Sequence, residues 1–113
     1  MNKSKSTVFI VDDEPVIRDS LTALLAAEGI CCEVFGEPRH FLERIEPNCL
    51  GYLLLDLRMP GMDGLQLLKR LRARGIATPV IVLTAHTDVP RSVAVMEAGA
   101  DDFIEKPFVA ENL

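Results

Sequence analysis

The chain has 113 residues, enough for one domain with its own hydrophobic core. Hydrophobic residues make up 49% and charged residues 26%, which is typical of a globular protein and excludes a disordered tail. The net charge is −5 and no Lys/Arg-rich run occurs, so this domain is not expected to bind nucleic acid itself. No apolar stretch approaches the roughly 20 residues of a membrane span, and none near the N terminus has the length of a signal peptide. We therefore expect a cytoplasmic protein without membrane contact.

Short apolar runs alternate along the chain with segments of helical periodicity. The runs predict strands at residues 7–11, 32–35, 52–55, 79–83 and 102–105. The periodic segments predict helices at residues 15–28, 38–45, 65–74 and 88–99, and the first turns of a last helix at 108–113. Strand followed by helix, five times over, predicts an α/β domain with parallel strands and helices on both faces.

The helical spacing also predicts which side chains face the core. In the helix at 65–74 we expect Leu65, Leu68 and Leu71 to point inward. In the helix at 88–99 we expect the same of Val93 and Met96, with Asp88 as its N-cap.

Polar residues follow the apolar strands at the points where the strands end. Asp12 and Asp13 follow the first strand, Asp56 the third, Thr84 the fourth and Lys106 the fifth. Ligands of an open parallel sheet bind beyond the carboxyl ends of its strands. The sequence therefore predicts that these side chains converge on one site.

The chemistry of these residue types favours phosphoryl transfer. Three aspartates in one crevice would repel each other, and a hard divalent cation such as Mg²⁺ would relieve that repulsion. Lys106 adds a positive charge and Thr84 a hydroxyl donor. Aspartate can act as a covalent nucleophile toward phosphorus, and the surrounding charges would neutralise the transferred group.

Other interpretations of the same residues stay open at this point. Asp12 and Asp13 could cap the first helix, and Thr84 and Lys106 could be solvated residues at strand ends. A flavin- or nucleotide-binding module would need a glycine-rich loop after the first strand, where this chain has Asp-Asp-Glu-Pro. A hydrolase with an aspartyl intermediate would need a substrate-capping insertion, which so short a chain lacks.

Four motifs closely resemble the receiver domain of bacterial two-component response regulators: IVDDEP, LLLDLRMPGMDG, VIVLTAH and DFIEKPF. The segments RMPGMDG and TDVPRSVAVMEAGADDFIEKPF are most similar to the nitrogen-fixation (FixJ-type) subgroup. The resemblance implies a flavodoxin-like, doubly wound five-stranded sheet of order 2-1-3-4-5. It also implies that residues 1–113 form one receiver domain with a truncated last helix, and that any DNA-binding output domain lies beyond this chain.

The resemblance further implies a phosphoacceptor and a metal site. Asp56 would accept the phosphoryl group. Asp13, Asp56 and the main-chain carbonyl of Arg58 would bind Mg²⁺, and Asp12 would reach the ion directly or through water.

By the same resemblance, Lys106 would bind a phosphoryl oxygen and Thr84 would be the switch hydroxyl. Phe103 would be the aromatic switch that fills the space Thr84 vacates. The Lys106–Pro107 peptide bond would be cis and would aim the lysine.

The implied partners are a sensor histidine kinase, whose phosphohistidine donates the group, and a helix-turn-helix output domain that binds DNA. We expect the fourth helix, fifth strand and fifth helix, residues 88–113, to bind a second receiver or the output domain after phosphorylation. The domain would catalyse only its own phosphoryl transfer and autodephosphorylation, and is not expected to be an enzyme in the usual sense. The alternative is a degenerate receiver that acts only as an interaction module, which the presence of Asp56 and Lys106 disfavours.

Overall fold

The computed structural model describes residues 7–45, 51–85 and 92–105, which form a parallel five-stranded sheet. Its strands are β1 (Thr7–Val11), β2 (Cys31–Phe35), β3 (Gly51–Asp56), β4 (Val80–Thr84) and β5 (Asp102–Glu105). The helices between them are α1 (Pro15–Ala27), α2 (Pro38–Arg44), α3 (Gly64–Ala73) and α4 (Ser92–Glu97). The order β2-β1-β3-β4-β5 confirms the predicted topology. The helix predicted at 108–113 and the cap at Asp88 lie outside the described residues.

Both faces of the central strands β1, β3 and β4 are largely buried, which explains why these strands read as continuous apolar runs. Along β1, Phe9 and Val11 pack into the core beneath α2, α3 and α4, whereas Val8 and Ile10 pack into the core beneath α1. The alternation follows from the two-residue period of a strand. Helices on both faces are thus confirmed.

The predicted inward face of α3 is confirmed, with Leu67 as an additional buried residue, whereas that of α4 is not. In α3 Leu67 is fully buried beside Leu68 and Leu71, while Leu65 is only partly buried. In α4 the prediction was wrong: Val95 is fully buried, whereas Val93 is 63% and Met96 39% exposed. Val93 and Met96 are three residues apart and share one face of the helix. Val95 and the partly buried Ala98 are also three residues apart and share another face, and it is this second face that packs against the core.

The described ranges contain neither a helix with the length and apolarity that crossing a bilayer requires nor a disulfide. Cys31 and Cys32 are free thiols at the start of the edge strand β2. Burial raises the pKa of the Cys32 thiol, which disfavours the reactive thiolate.

Candidate functional site

Three carboxylates meet at the carboxyl edge of the sheet. Val11 of β1 lies in register with Leu55 of β3, so the residues that follow them, Asp12 and Asp56, are neighbours across the strands. Asp13 joins them, and one carboxylate oxygen from each of the three lies within 4.8 Å of the others. Asp12 is fully buried and Asp56 is 5% exposed, while Asp13 is open to solvent.

The electrostatics of this cluster suit a hard cation. Two like unit charges at this separation repel by roughly 3 kcal/mol at an effective dielectric constant of about 20. Burial adds to the cost, because Asp12 and Asp56 have little contact with water to screen them. The donor set consists of carboxylate oxygens, the ligand type that Mg²⁺ prefers. The residues present therefore fit a divalent cation.

Three hydrogen bonds hold Asp12, two through its main chain and one through its carboxylate. Its N–H donates to the carbonyl of Phe35 at 3.1 Å, and its own carbonyl accepts from Nη1 of Arg18 at 2.7 Å. Its carboxylate Oδ1 accepts from the N–H of Glu14 at 2.9 Å. Glu14, and neither aspartate, occupies the N-cap of α1, and its side chain makes no capping bond. Asp12 thus steadies the approach to α1 without being its cap.

Asp56 is positioned by close contact between backbone segments. The N–H of Leu57 donates to the carbonyl of Leu83 at 3.0 Å, and the N–H of Gly64 donates to the carbonyl of Leu57 at 2.8 Å. A Cβ atom on Gly64 would lie 2.5 Å from the Asp56 carbonyl oxygen and 2.9 Å from Cα of Leu57. Only glycine therefore lets α3 begin so close to the end of β3.

A capping box fixes the start of α3. The carboxylate of Asp63 accepts from the N–H of Gln66, and the side chain of Gln66 accepts from the N–H of Asp63, both at 2.9 Å. The spacing Asp-x-x-Gln is a recognisable sequence signal for a helix start. It could have placed the helix at Gly64, one residue before the predicted boundary.

Two further candidates, Thr84 and Phe103, lie on the adjacent strands β4 and β5. Thr84 is fully buried, pairs in register with Glu105, and its hydroxyl donates to the adjacent carbonyl of Ala85 at 3.2 Å. Phe103 is partly buried and packs against the core beneath α2, α3 and α4. Lys106 and Pro107, with their predicted cis bond, lie outside the described residues.

A groove of about 380 Å³ opens beside the carboxylates. Asp13 contributes to its wall together with residues 36–39 at the start of α2 and the loop at residues 59–62. A second hollow, of about 330 Å³, is lined by Arg58, Met59, Pro60 and Asp63. Asp13 and the exposed Arg58 therefore both border solvent-filled space on the side of the loop that follows β3.

The fold and the carboxylate cluster agree with a family assignment. A model of the response regulator receiver domain matches residues 8–113, and the chain belongs to this family. It is 39% identical to the transcriptional regulatory protein FixJ of Bradyrhizobium diazoefficiens, over 97% of this chain and 54% of FixJ. It is 49% identical to the C4-dicarboxylate transport transcriptional regulatory protein DctR of Rhodobacter capsulatus, over 90% of this chain and 53% of DctR.

Solved structures lead to the same conclusion and support the FixJ-type subgroup. The crystal structure of FixJ-N is 44% identical with a TM-score of 0.86, over 96% of this chain and 86% of that one. The response regulator StyR is 42% identical with a TM-score of 0.89, over 96% of this chain and 55% of that one. The chain spans about half the length of the curated relatives FixJ and DctR. Receiver domains generally use Mg²⁺ at an acidic site, and the three aspartates correspond to such a site.

The contact at Gly64 yields a first prediction. Replacing glycine by alanine in a helix usually stabilises a protein by about 0.5–1 kcal/mol. For Gly64→Ala we expect the opposite sign, a loss of about 1–3 kcal/mol, because the new methyl group would displace the backbone of Asp56 and Leu57. Urea unfolding gives the change in free energy, and amide chemical shifts should change most at these two residues. An alanine variant as stable as the unaltered chain would contradict the close approach.

Proposed function

We propose that this chain is the phosphorylation-activated receiver of a two-component response regulator and that Asp56 is its phosphoacceptor. The observation that carries the proposal is the group of three aspartate carboxylates within 4.8 Å at the carboxyl edge of the sheet. Asp56 lies at the buried end of β3, after the fully buried Leu53, Leu54 and Leu55, so its carboxylate is held in place by the core and reaches the edge of the sheet. Its donor is the phosphohistidine of a sensor histidine kinase.

Asp12, Asp13, Asp56 and the main-chain carbonyl of Arg58 are the proposed ligands of Mg²⁺. When bound, the ion supplies positive charge that offsets the repulsion among the carboxylates and the charge of an incoming phosphate. Asp13 borders the solvent-filled groove, so it is accessible from outside while Asp12 and Asp56 are not. We infer that the ion and the phosphodonor approach from the side of Asp13.

In the proposed transfer, a carboxylate oxygen of Asp56 attacks phosphorus and forms a new O–P bond. The N–P bond of the phosphohistidine breaks, and the imidazole keeps the electron pair and gains a proton. Lys106 is proposed to pair with a phosphoryl oxygen. Autodephosphorylation reverses the state by attack of water on the same phosphorus, releasing phosphate and restoring the Asp56 carboxylate. The domain turns over no free substrate in a separate active site.

Thr84 and Phe103 are the proposed switch residues. Within the described residues the Thr84 hydroxyl bonds to the carbonyl of the next residue alone, at 3.2 Å, so exchanging that partner for a phosphoryl oxygen would cost little. Phe103 is partly buried on the neighbouring strand and can fill space that Thr84 leaves. Movement of both would change the surface of α4 and β5, where Val93 and Met96 are exposed.

The proposed output is control of transcription through a DNA-binding domain that lies beyond this chain. Receivers of transcriptional regulators such as FixJ and NtrC are paired with DNA-binding output domains, and this chain covers only the receiver part of them. After phosphorylation, the surface of α4, β5 and the predicted last helix would bind a second receiver or the output domain. The alternative, a degenerate receiver that acts only as a dimerisation module, would keep the fold without the chemistry.

The phosphoacceptor is tested by incubating the chain with acetyl phosphate, with and without Mg²⁺, and measuring intact mass. We expect the mass of one added phosphoryl group. The addition should depend on Mg²⁺, because without the cation the three carboxylates repel the negatively charged phosphodonor. Asp56→Asn should abolish the addition.

The matched control is Asp63→Asn, the same chemical change a few residues further along the loop. Asparagine caps helices as well as aspartate does, so this variant should remain folded and phosphorylated. Addition that persists in Asp56→Asn, or that is lost equally in Asp63→Asn, would contradict the assignment of Asp56, whereas no addition to the unaltered chain would favour the interaction-module alternative.

The switch is tested with Thr84→Val, which removes the hydroxyl and keeps the branched shape. With Mg²⁺ and beryllofluoride, a phosphoryl analogue, the unaltered chain should show amide shift changes at Val95 and Phe103. In Thr84→Val these shift changes should fall by at least about half, because valine has no hydroxyl that could move and bond to the phosphoryl analogue. Thr78→Val, the same change at a buried residue just before β4, should leave them intact. Equal responses in the two variants would contradict the role of Thr84.

A further inference from the structure

Arg18 of α1 bridges the loops that follow β1 and β2. Its Nη1 donates to the carbonyl oxygen of Asp12 at 2.7 Å, at the end of β1. Its guanidinium also occupies the space beside Gly36, where an added Cβ would lie 3.0 Å from Nη1 and 3.5 Å from Cζ. Gly36 directly follows β2, whose last residue, Phe35, accepts the N–H of Asp12. Arg18 and the end of β2 therefore both hold Asp12: Arg18 bonds to its carbonyl, and Phe35 of β2 accepts its N–H.

The bond from Arg18 acts on the peptide between the two aspartates that follow β1. Asp12 and Asp13 share this peptide, so its orientation decides where both carboxylates point. The Arg18 bond is short and charge-assisted, and so directional as well as strong. The described residues show no ion pair at Arg18, so its contact acts on the backbone of Asp12 and not on a carboxylate.

We propose that Arg18 is a positioning residue for the carboxylate site: it fixes the Asp12–Asp13 peptide so that both carboxylates converge on Asp56. The inference rests on the proposed function, because it concerns the residues that would hold Mg²⁺. Groups that orient metal ligands without touching the metal commonly change affinity by about 10–100-fold when removed. Loss of Arg18 should weaken Mg²⁺ binding by about tenfold.

The direction of the change in Mg²⁺ affinity distinguishes a positioning role of Arg18 from an effect of its charge alone. Arg18 carries a positive charge close to a site for a cation, so its removal should tighten Mg²⁺ binding if only its charge mattered. Loss of positioning predicts weaker binding. Arg39 offers a matched control, since it lines the groove with Asp13 and makes no hydrogen bond or ion pair within the described residues.

The test is a Mg²⁺ titration of the full chain, followed by amide chemical shifts of Asp13 and Leu57. We expect Arg18→Ala to raise the dissociation constant about tenfold and Arg18→Lys, which retains a donor, to recover part of the loss. Arg39→Ala should bind Mg²⁺ as tightly as the unaltered chain or slightly more tightly. Without metal, the amide of Asp13 should already shift in Arg18→Ala and not in Arg39→Ala.

Equal or tighter binding by Arg18→Ala would overturn the inference. Should the alanine variant fail to fold, Arg18→Met, which keeps most of the aliphatic stem without the donor, takes its place with the same expected weakening. Failure of both to fold would assign Arg18 to the fold and would also overturn the proposal. If the unaltered chain itself does not bind Mg²⁺, the proposed function fails; if it does and only the Arg18 dependence is absent, this inference alone fails.

Discussion

Repulsion among three carboxylates is the constraint on which the rest of this structure depends. Two of them, Asp12 and Asp56, are removed from water, so the solvent does little to screen their charge. They meet because β1 and β3 are parallel neighbours in register and both end at the same edge. The sheet thus concentrates negative charge at one place, and a positive charge bound there is expected to stabilise the fold.

The backbone around the carboxylates leaves little freedom to relieve the repulsion by moving apart. Arg18 and Phe35 hold the end of β1, and the backbone contact at Gly64 holds the end of β3. The end of β4 is less constrained, since the Thr84 hydroxyl bonds to the next carbonyl alone among the residues that the structure describes. A phosphorylation switch requires a rigid phosphoacceptor, here Asp56, next to a residue that can move, here Thr84. The added phosphoryl charge then displaces the less constrained residue.

Much of the fold follows from patterns that are local in sequence. Strands buried on both faces read as apolar runs, and polar residues at their ends mark the edge where Asp12, Asp13 and Asp56 meet. What could not be predicted depends on contacts that the residue types do not encode, even where the partners are only six residues apart. The contact of Arg18 with a main-chain carbonyl leaves no pattern in the residue types. The rotation of α4 was ambiguous because two sets of apolar side chains compete at helical spacing, and only packing against the sheet decides between them.

The most direct test of the central claim is the free energy of unfolding by urea as a function of Mg²⁺ concentration, for the unaltered chain and for Asp13→Asn. Asp13 is a suitable position because its side chain makes no hydrogen bond within the described residues, so the substitution removes charge and little else. We expect Mg²⁺ to stabilise the unaltered chain, and Asp13→Asn to be more stable than it without Mg²⁺ and to gain much less when Mg²⁺ is added. A chain indifferent to Mg²⁺, together with an asparagine variant of lower stability, would contradict the account.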